Sequence, residues 1–307
     1  MKKTSALFEG GSKATQLKKK ITFGVICASF ALLMIMLVVL IIALIATGAG
    51  GKAEPTDEQE PVVSIGDTTT VTLSDSDLYS GNLLLLDATH SYNGDPLAEA
   101  FPPSAERPQA TSNAMYTVQN QSLGATEETI NAFHNLVKAF YEKSKDDNLI
   151  VYDAYNTSSG ASAPVFSAGT AIELYYFSAA DAQDWSKRDS IQGVEKYKWI
   201  YTNAAKYGFI NVSVDGQASS VFRYVGVEHA SAMLSKKLNP TSYIEWLKAN
   251  TSPEAPLASR TASGNYAIYY ISAMGEHTVP VGYDYTVSGT NEGGYIITVN
   301  LSAAKAS

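Results

Sequence analysis

Between Lys20 and Lys52 no charged residue occurs, and residues 25–46 are almost wholly apolar. A hydrocarbon core of about 30 Å takes roughly 20 helical residues to cross, so this stretch reads as one transmembrane helix. It constrains the rest of the chain, because such a segment cannot join a water-soluble core and whatever follows must fold by itself. Lys2, Lys3, Lys13, Lys18, Lys19 and Lys20 precede the run against Glu9 alone, and lysine-rich flanks stay in the cytoplasm. The expected topology is a cytoplasmic tail over 1–20, a signal anchor over 21–49 and an extracytoplasmic remainder. Ala46, Gly48 and Ala49 are small residues of the cleavable kind, so a cleaved signal peptide is the competing reading. Cleaved leaders carry apolar cores of roughly 7–15 residues, and the greater length here favours an anchor. Cys27, the only cysteine, lies inside the run with Ile26 before it, which does not suit a lipoprotein signal. The exported part then has no thiol for a disulfide or a cysteine-based metal site.

Charge divides at the same boundary. Six lysines and one glutamate give the first 20 residues a net of +5, and the 307-residue chain sums to −8, leaving −13 beyond residue 20. An acidic body lacks the basic footprint that nucleic acid requires and is repelled by anionic surfaces. Nucleic-acid partners are excluded on this ground. Residues 50–61 are Gly-rich and then acidic, with Pro55, Asp57, Glu58 and Glu60. Such a composition cannot build a core and reads as a linker. The chain from residue 62 onward is long enough for a sizeable core.

Hydrophobic spacing then sets the elements. Thr126 opens a helix with Glu127 and Glu128 in its first turn, and Ile130, Phe133, Val137 and Phe140 repeat at helical spacing. Further helices are expected over 194–207, with Gly208 as the cap, and over 228–238 and 241–249. Strands are expected over 83–86, 149–155, 171–177, 209–214, 221–225, 266–271 and 295–299, and residues 92–115, with four prolines, read as a long loop. Strands and helices mix without regular alternation, which favours an α+β fold over a doubly wound sheet.

Several landmarks share one order. Residues 81–86 read Gly-Asn-Leu-Leu-Leu-Leu, 203–210 read Asn-Ala-Ala-Lys-Tyr-Gly-Phe-Ile, and 221–226 read Val-Phe-Arg-Tyr-Val-Gly. Tyr243-Ile244-Glu245-Trp246-Leu247 follows, then Val287-Ser288-Gly289-Thr290-Asn291 and Gly294-Tyr295-Ile296-Ile297-Thr298-Val299. Together they resemble the VanY-like D-alanyl-D-alanine carboxypeptidases, zinc enzymes that trim peptidoglycan stem peptides. The resemblance implies an antiparallel-sheet DD-peptidase domain of VanY/Hedgehog-like α+β type over 62–250, followed by a C-terminal β-extension over 251–307.

The resemblance also assigns positions. The family places a zinc-binding His directly before the Phe-Arg-Tyr-Val-Gly stretch and a catalytic Glu three residues earlier; these places hold Val221 and Ala218. A first His ligand seven residues before an Asp ligand corresponds to Phe166 and Glu173. An Arg that grips the substrate carboxylate, after a Gly-Tyr pair, corresponds to Asn156 after Ala154-Tyr155. The connection between Ile210 and Val221 is also shorter than usual for the family. A catalytic zinc needs three protein ligands, and its bound water needs a general base. Glu173 is the one surviving carboxylate, and with Tyr155 and Asn156 it leaves at most a weak peptide contact. No catalytic residue, metal or cofactor is expected here, where active relatives carry zinc.

The remaining polar residues have structural readings. His134 lies four residues after Ile130 on the same helix and reads as a packed histidine, and His229 reads as packing or capping. Arg223, inside an alternating strand, is expected to pair with a core or edge carboxylate. The 19 tyrosines fall mostly in strand patterns such as Tyr175-Tyr176 and Tyr269-Tyr270, where half-exposed sheet positions account for them. The sequence therefore reads as a single-pass membrane protein of a Gram-positive type cell envelope. Its exported domain is a pseudo-carboxypeptidase that binds an envelope protein partner or a peptidoglycan stem peptide. Two rival readings are an active D-Ala-D-Ala carboxypeptidase with divergent ligands and a structural component of an envelope assembly.

Overall fold

Thr126 caps the longest helix of the described chain, α1 (Glu127–Ser144): its side-chain oxygen accepts the Thr129 amide, and Glu127 and Glu128 sit where the helix dipole favours anions. The expected apolar stripe is buried, and Leu136 joins it. In this computed structural model residues 65–304 are described, apart from 91, 93, 95, 97, 102–114, 179–184, 215 and 275. The basic tail, the anchor and the linker expected over 1–61 lie outside the described residues. Among the described residues no helix is long and apolar enough to cross a membrane.

The described strands are β1 (Thr68–Val71), β2 (Glu99–Ala100), β3 (Tyr116–Val118), β4 (Leu123–Ala125), β5 (Leu149–Asp153), β6 (Tyr155–Asn156), β7 (Ala171–Phe177) and β8 (Arg188–Ser190), then β9 (Phe209–Val214), β10 (Gln217–Tyr224), β11 (Leu257–Thr261), β12 (Gly264–Ser272), β13 (His277–Pro280), β14 (Tyr283–Gly289) and β15 (Gly294–Ala304). Three further helices are α2 (Lys198–Asn203), α3 (Val227–Lys236) and α4 (Pro240–Asn250).

The sheet under α1 has the order β3-β5-β7-β10-β9, with β8 also on β7. Only the β3–β5 pair is parallel; the other pairs are antiparallel. Side chains alternate across each strand, so Ile172 and Leu174 of β7 and Phe222 and Tyr224 of β10 pack with Ile130, Phe133, Val137 and Phe140 of α1 in one core. Tyr224 also donates a 2.7 Å hydrogen bond to Glu128, whose other oxygen accepts from Asn82 at 3.0 Å. The intervening residues Glu173, Val221 and Arg223 belong to the opposite face.

A second sheet, β11-β12-β15-β14, follows in sequence. Ile268 and Ile296 on one of its faces pack with Met233 of α3 and Tyr243 and Leu247 of α4. Ala267, Tyr269, Ile297 and Val299 on the other face pack with Ile65 and Val279. His229 is buried between the sheet and the helices, bonded to the hydroxyls of Tyr243 and Thr298 at 3.0 and 2.9 Å. Burial lowers its imidazole to about 3, so it is a neutral packing residue, as its sequence context suggested. His134 bonds the Tyr116 hydroxyl at 2.7 Å and is likewise packed.

Three sequence expectations are corrected. Residues 83–86 are buried but form no strand. Side chains, not a neighbouring strand, satisfy their backbone: Ser288 accepts from the Leu83 amide, and Asn291 both accepts from the Leu85 amide and donates to its carbonyl. The single helix expected over 194–207 is a chain of three short turns: Glu195–Tyr197, α2 and Ala204–Tyr207. The turn closes at Gly208 with φ +83°, where a Cβ would come within 2.5 Å of the Tyr224 ring. Tyr269, expected half-exposed, is fully buried and donates to the Thr278 carbonyl.

Candidate functional site

The pairing of β7 with β10 sets Val221 opposite Glu173 and Arg223 opposite Ala171. The pairing of β5 with β7 sets Asp153 opposite the same Glu173. Asp153, Glu173 and Val221 therefore form one row across three strands. The Ser220 hydroxyl donates to Glu173 Oε1 at 2.8 Å. Asp153 accepts from the Ser162 hydroxyl at 2.5 Å and from the Ala154 amide at 2.8 Å. Burial pushes the Glu173 carboxyl above its ordinary range; the Ser220 bond counters this, and the Asp153 charge adds to it. Glu173 is thus a strand carboxylate held by a neighbouring hydroxyl. Asp153 is its unforeseen companion, and only strand register could have revealed it.

Phe166 ends the short helical turn Pro164–Phe166 and is 4% exposed. Its carbonyl accepts the amide of Gly169, whose φ of +65° turns the chain into β7. An aromatic ring buried to this degree fills its space and leaves no opening where the family places an imidazole. Val221 is half-buried on the sheet.

The position of the general base has a different fate. β9 and β10 pair antiparallel as the arms of a hairpin, which sets Ala218 opposite Ser213 at an exposed position. The register slips between Ala218 and Phe222, and side chains of Asn211 and Ser219 bond the resulting bulge. Asn211 donates to the carbonyls of Ser219 and Val221 and accepts from the Ser219 amide, while the Ser219 hydroxyl accepts from the Val221 amide. β10 therefore starts four residues before the strand expected at 221. The short connection legible in the sequence is this hairpin.

Tyr155 and Asn156 form β6, paired with β4. Asn156 Oδ1 accepts the amides of Ser158 and Ser159 at 2.9 and 3.0 Å, and the Asn156 carbonyl accepts the Gly160 amide at 2.8 Å. The side chain thus closes a local turn, a role an arginine could not fill. Tyr155 lines a pocket of about 450 Å³ with Tyr92, Ala163, Pro164 and Ser167, to which neither Asn156 nor Glu173 contributes. The three residues assigned to peptide contact are not gathered into one site.

Arg223 corrects its expectation. It is 3% exposed, and its Nη2 donates to the carbonyls of Asn82 and Leu84. No carboxylate of the described residues pairs with it, because the segment 82–86 crosses its end of the strand and presents backbone oxygens.

The donor set does not fit a catalytic zinc. Such a site needs three protein ligands, usually with imidazole among them. The assigned positions supply a phenyl ring, an isopropyl group and one carboxylate already bonded to Ser220. Asp153 is a second carboxylate, bonded to Ser162. Among the described residues no three metal-ligating side chains cluster.

No protein-family model matches the chain. A curated D-alanyl-D-alanine carboxypeptidase of Enterococcus faecium is 22% identical over 243 residues, 74% of this chain and 78% of that protein. The solved structure of the vancomycin resistance D,D-dipeptidase VanXYg, in complex with a D-Ala-D-Ala phosphinate analog, matches with a TM-score of 0.59 at 17% identity, over 76% of this chain and 100% of that one. That likeness concerns the fold: a mixed α+β architecture with antiparallel sheets. In sequence the chain is thus similar to a D-alanyl-D-alanine carboxypeptidase, and in fold to a D,D-dipeptidase.

Proposed function

We propose that this chain is a membrane-anchored, extracytoplasmic pseudo-carboxypeptidase, a non-catalytic binding or scaffold domain at the envelope of a Gram-positive type bacterium. The observation that carries the reading is the row Asp153–Glu173–Val221 with Phe166 buried beside β7. A metallopeptidase must present imidazole or carboxylate donors around an open coordination position. Here the two positions that should carry imidazole are hydrocarbon. Ala218, on an exposed hairpin arm, has no group that moves a proton, and Asn156 spends its side chain on its own turn. The uncharged run over 25–46 and the lysines before it support the anchor and its orientation. With metal, base and carboxylate clamp all changed, a protein of the cell envelope is a better ligand than the stem peptide. The test supplies the 307-residue chain with excess zinc and a pentapeptide ending in D-Ala-D-Ala, and measures free D-alanine. The expected release equals the protein-free control. Release that a chelator and Glu173→Ala both abolish would establish an active carboxypeptidase instead.

A further inference from the structure

On the Arg223 side of the sheet, beyond the row of Glu173 and Val221, lies a pocket of about 530 Å³. Its walls include Leu86, Asp87, Val212, Arg223, Lys237 and Thr241, so it sits between edge strand β9, the segment 85–87 and the turn from α3 into α4. The guanidinium of Arg223 is almost wholly buried in this wall. Its Nη2 is committed to two carbonyl oxygens, but Nε has no hydrogen-bond partner, and no described carboxylate pairs with the group. A buried charge without a counter-charge is costly, and the dipoles of two carbonyls compensate it only in part.

The rest of the pocket has the same sign. Lys237, exposed and in left-handed conformation at the C-cap of α3, stands on the rim. The 11-residue helix α4 starts there too. Asn239 and Ser242 cap each other reciprocally and Pro240 has no amide hydrogen, so Thr241 is the first-turn amide with no bond in the described structure. Helix N-termini attract anions through such amides and through the helix dipole. One negative group also lines the pocket: Asp87, whose carboxylate already accepts from the Thr89 hydroxyl and amide and from the His90 amide. Arg223 and Lys237 against Asp87 leave a single positive charge, which matches a monoanion better than a dianion.

We propose that this pocket binds the carboxylate of a small organic acid, held between Arg223, Lys237 and the first turn of α4. The site is separate from the Glu173–Val221 row, and its assignment stands whether or not that row is inert. The test uses the ¹⁵N-labelled 307-residue chain in detergent micelles, with the Arg223 Nε–H signal identified by its loss in Arg223→Lys. Acetate, phosphate and chloride are titrated at matched ionic strength. Acetate is expected to shift the Arg223 Nε–H and Thr241 N–H signals saturably with one common midpoint, at lower concentration than phosphate. Lys237→Asn, which keeps a residue tolerant of the left-handed backbone, is expected to raise that midpoint about two- to fivefold, the effect of one exposed charge. It also serves as the working variant if Arg223→Lys does not fold. A response to acetate no greater than to chloride, tighter binding of phosphate, or an unchanged midpoint in Lys237→Asn would overturn the proposal.

Discussion

Val221 stands directly opposite Glu173 across the β10–β7 pair, an isopropyl group facing a carboxylate on the sheet face away from the main core. In a functional metal site two facing strand positions would both point donors at one ion. Here the carboxylate accepts a hydrogen bond from Ser220 instead, worth about 1.5–3 kcal/mol while the carboxylate is ionised. The register sets residue 221 opposite the Glu173 carboxylate, but residue 221 is hydrocarbon.

This arrangement gives a direct expectation for metal content. After dialysis, the purified 307-residue chain should hold far less than one zinc per chain by elemental analysis. Phe166→His combined with Val221→His should raise the zinc content, because the register already sets residue 221 opposite Glu173. Stoichiometric zinc in the unaltered chain would contradict the pseudoenzyme reading.

Glu173 also makes a pH prediction. Its folded carboxyl is raised above the ordinary 4.5, chiefly by burial. A raised carboxyl contributes stability that is fully present below the unfolded value and lost as pH rises through the folded value. Glu173→Gln keeps an acceptor for Ser220 without the charge. It should therefore be more stable than the unaltered chain at about pH 7, and the gap should close as pH falls towards the ordinary carboxyl range. Urea midpoints at several pH values read this directly, and a gap that widens on acidification would exclude the burial argument.

Much of the architecture was legible because periodicity reports burial. The stripe Ile130–Phe140 and the alternation of Ile172 and Leu174 became α1 and β7, since both face the same core. Residues 83–86 misled for the converse reason: four buried leucines look like a strand, yet their backbone partners Ser288 and Asn291 lie some 200 residues away. The site divided in the same way. Identity at a position, such as Phe166 or Val221, could be judged from motif order alone. Asp153 beside Glu173, Asn211 under the bulge and the unpaired Arg223 depend on register and crossing segments, which no local pattern encodes.

Asn291 is the sharpest test of that long-range bonding. With φ +48° it both accepts from the Leu85 amide and donates to the Leu85 carbonyl. Asn291→Ala orphans two buried backbone groups at about 1–3 kcal/mol each and adds left-handed strain of about 1–2 kcal/mol. The expected loss is roughly 3–8 kcal/mol in denaturant unfolding. Asn291→Gly removes the strain but not the orphaned groups, so it should be milder than Ala by about 1 kcal/mol or more. Equal, small effects would show that the segment 83–86 is held by burial alone.

The proposed topology rests on Lys18–Lys20 beside the uncharged run. On the proposed anchor, the positive-inside rule predicts residue 1 in the cytoplasm and residue 307 outside. Protease shaving of intact protoplasts should remove the large domain and leave a small membrane-bound stub. Full protection of the chain would refute this orientation.

The last expectation concerns the stem peptide itself. Glu173 and Val221 face each other on one sheet, while Tyr155 and Asn156 lie on another, so no single cleft gathers the residues assigned to peptide contact. Asn156 stands where the resemblance places the arginine clamp, and its side chain is committed to the Ser158 and Ser159 amides. Metal and clamp together would supply the charge-assisted contacts to a D-Ala carboxylate, each worth about 1.5–3 kcal/mol, or about ten- to a hundredfold in affinity. Phe166, being buried, offers a peptide no polar group in exchange. Binding of a pentapeptide ending in D-Ala-D-Ala should therefore be near millimolar or undetectable by calorimetry or NMR titration. Micromolar affinity with shifts centred on Asn156 and Glu173 would require the Asn156 turn to open and the Ser220–Glu173 bond to exchange for the ligand, and would replace the protein-partner reading with that of a peptidoglycan sensor.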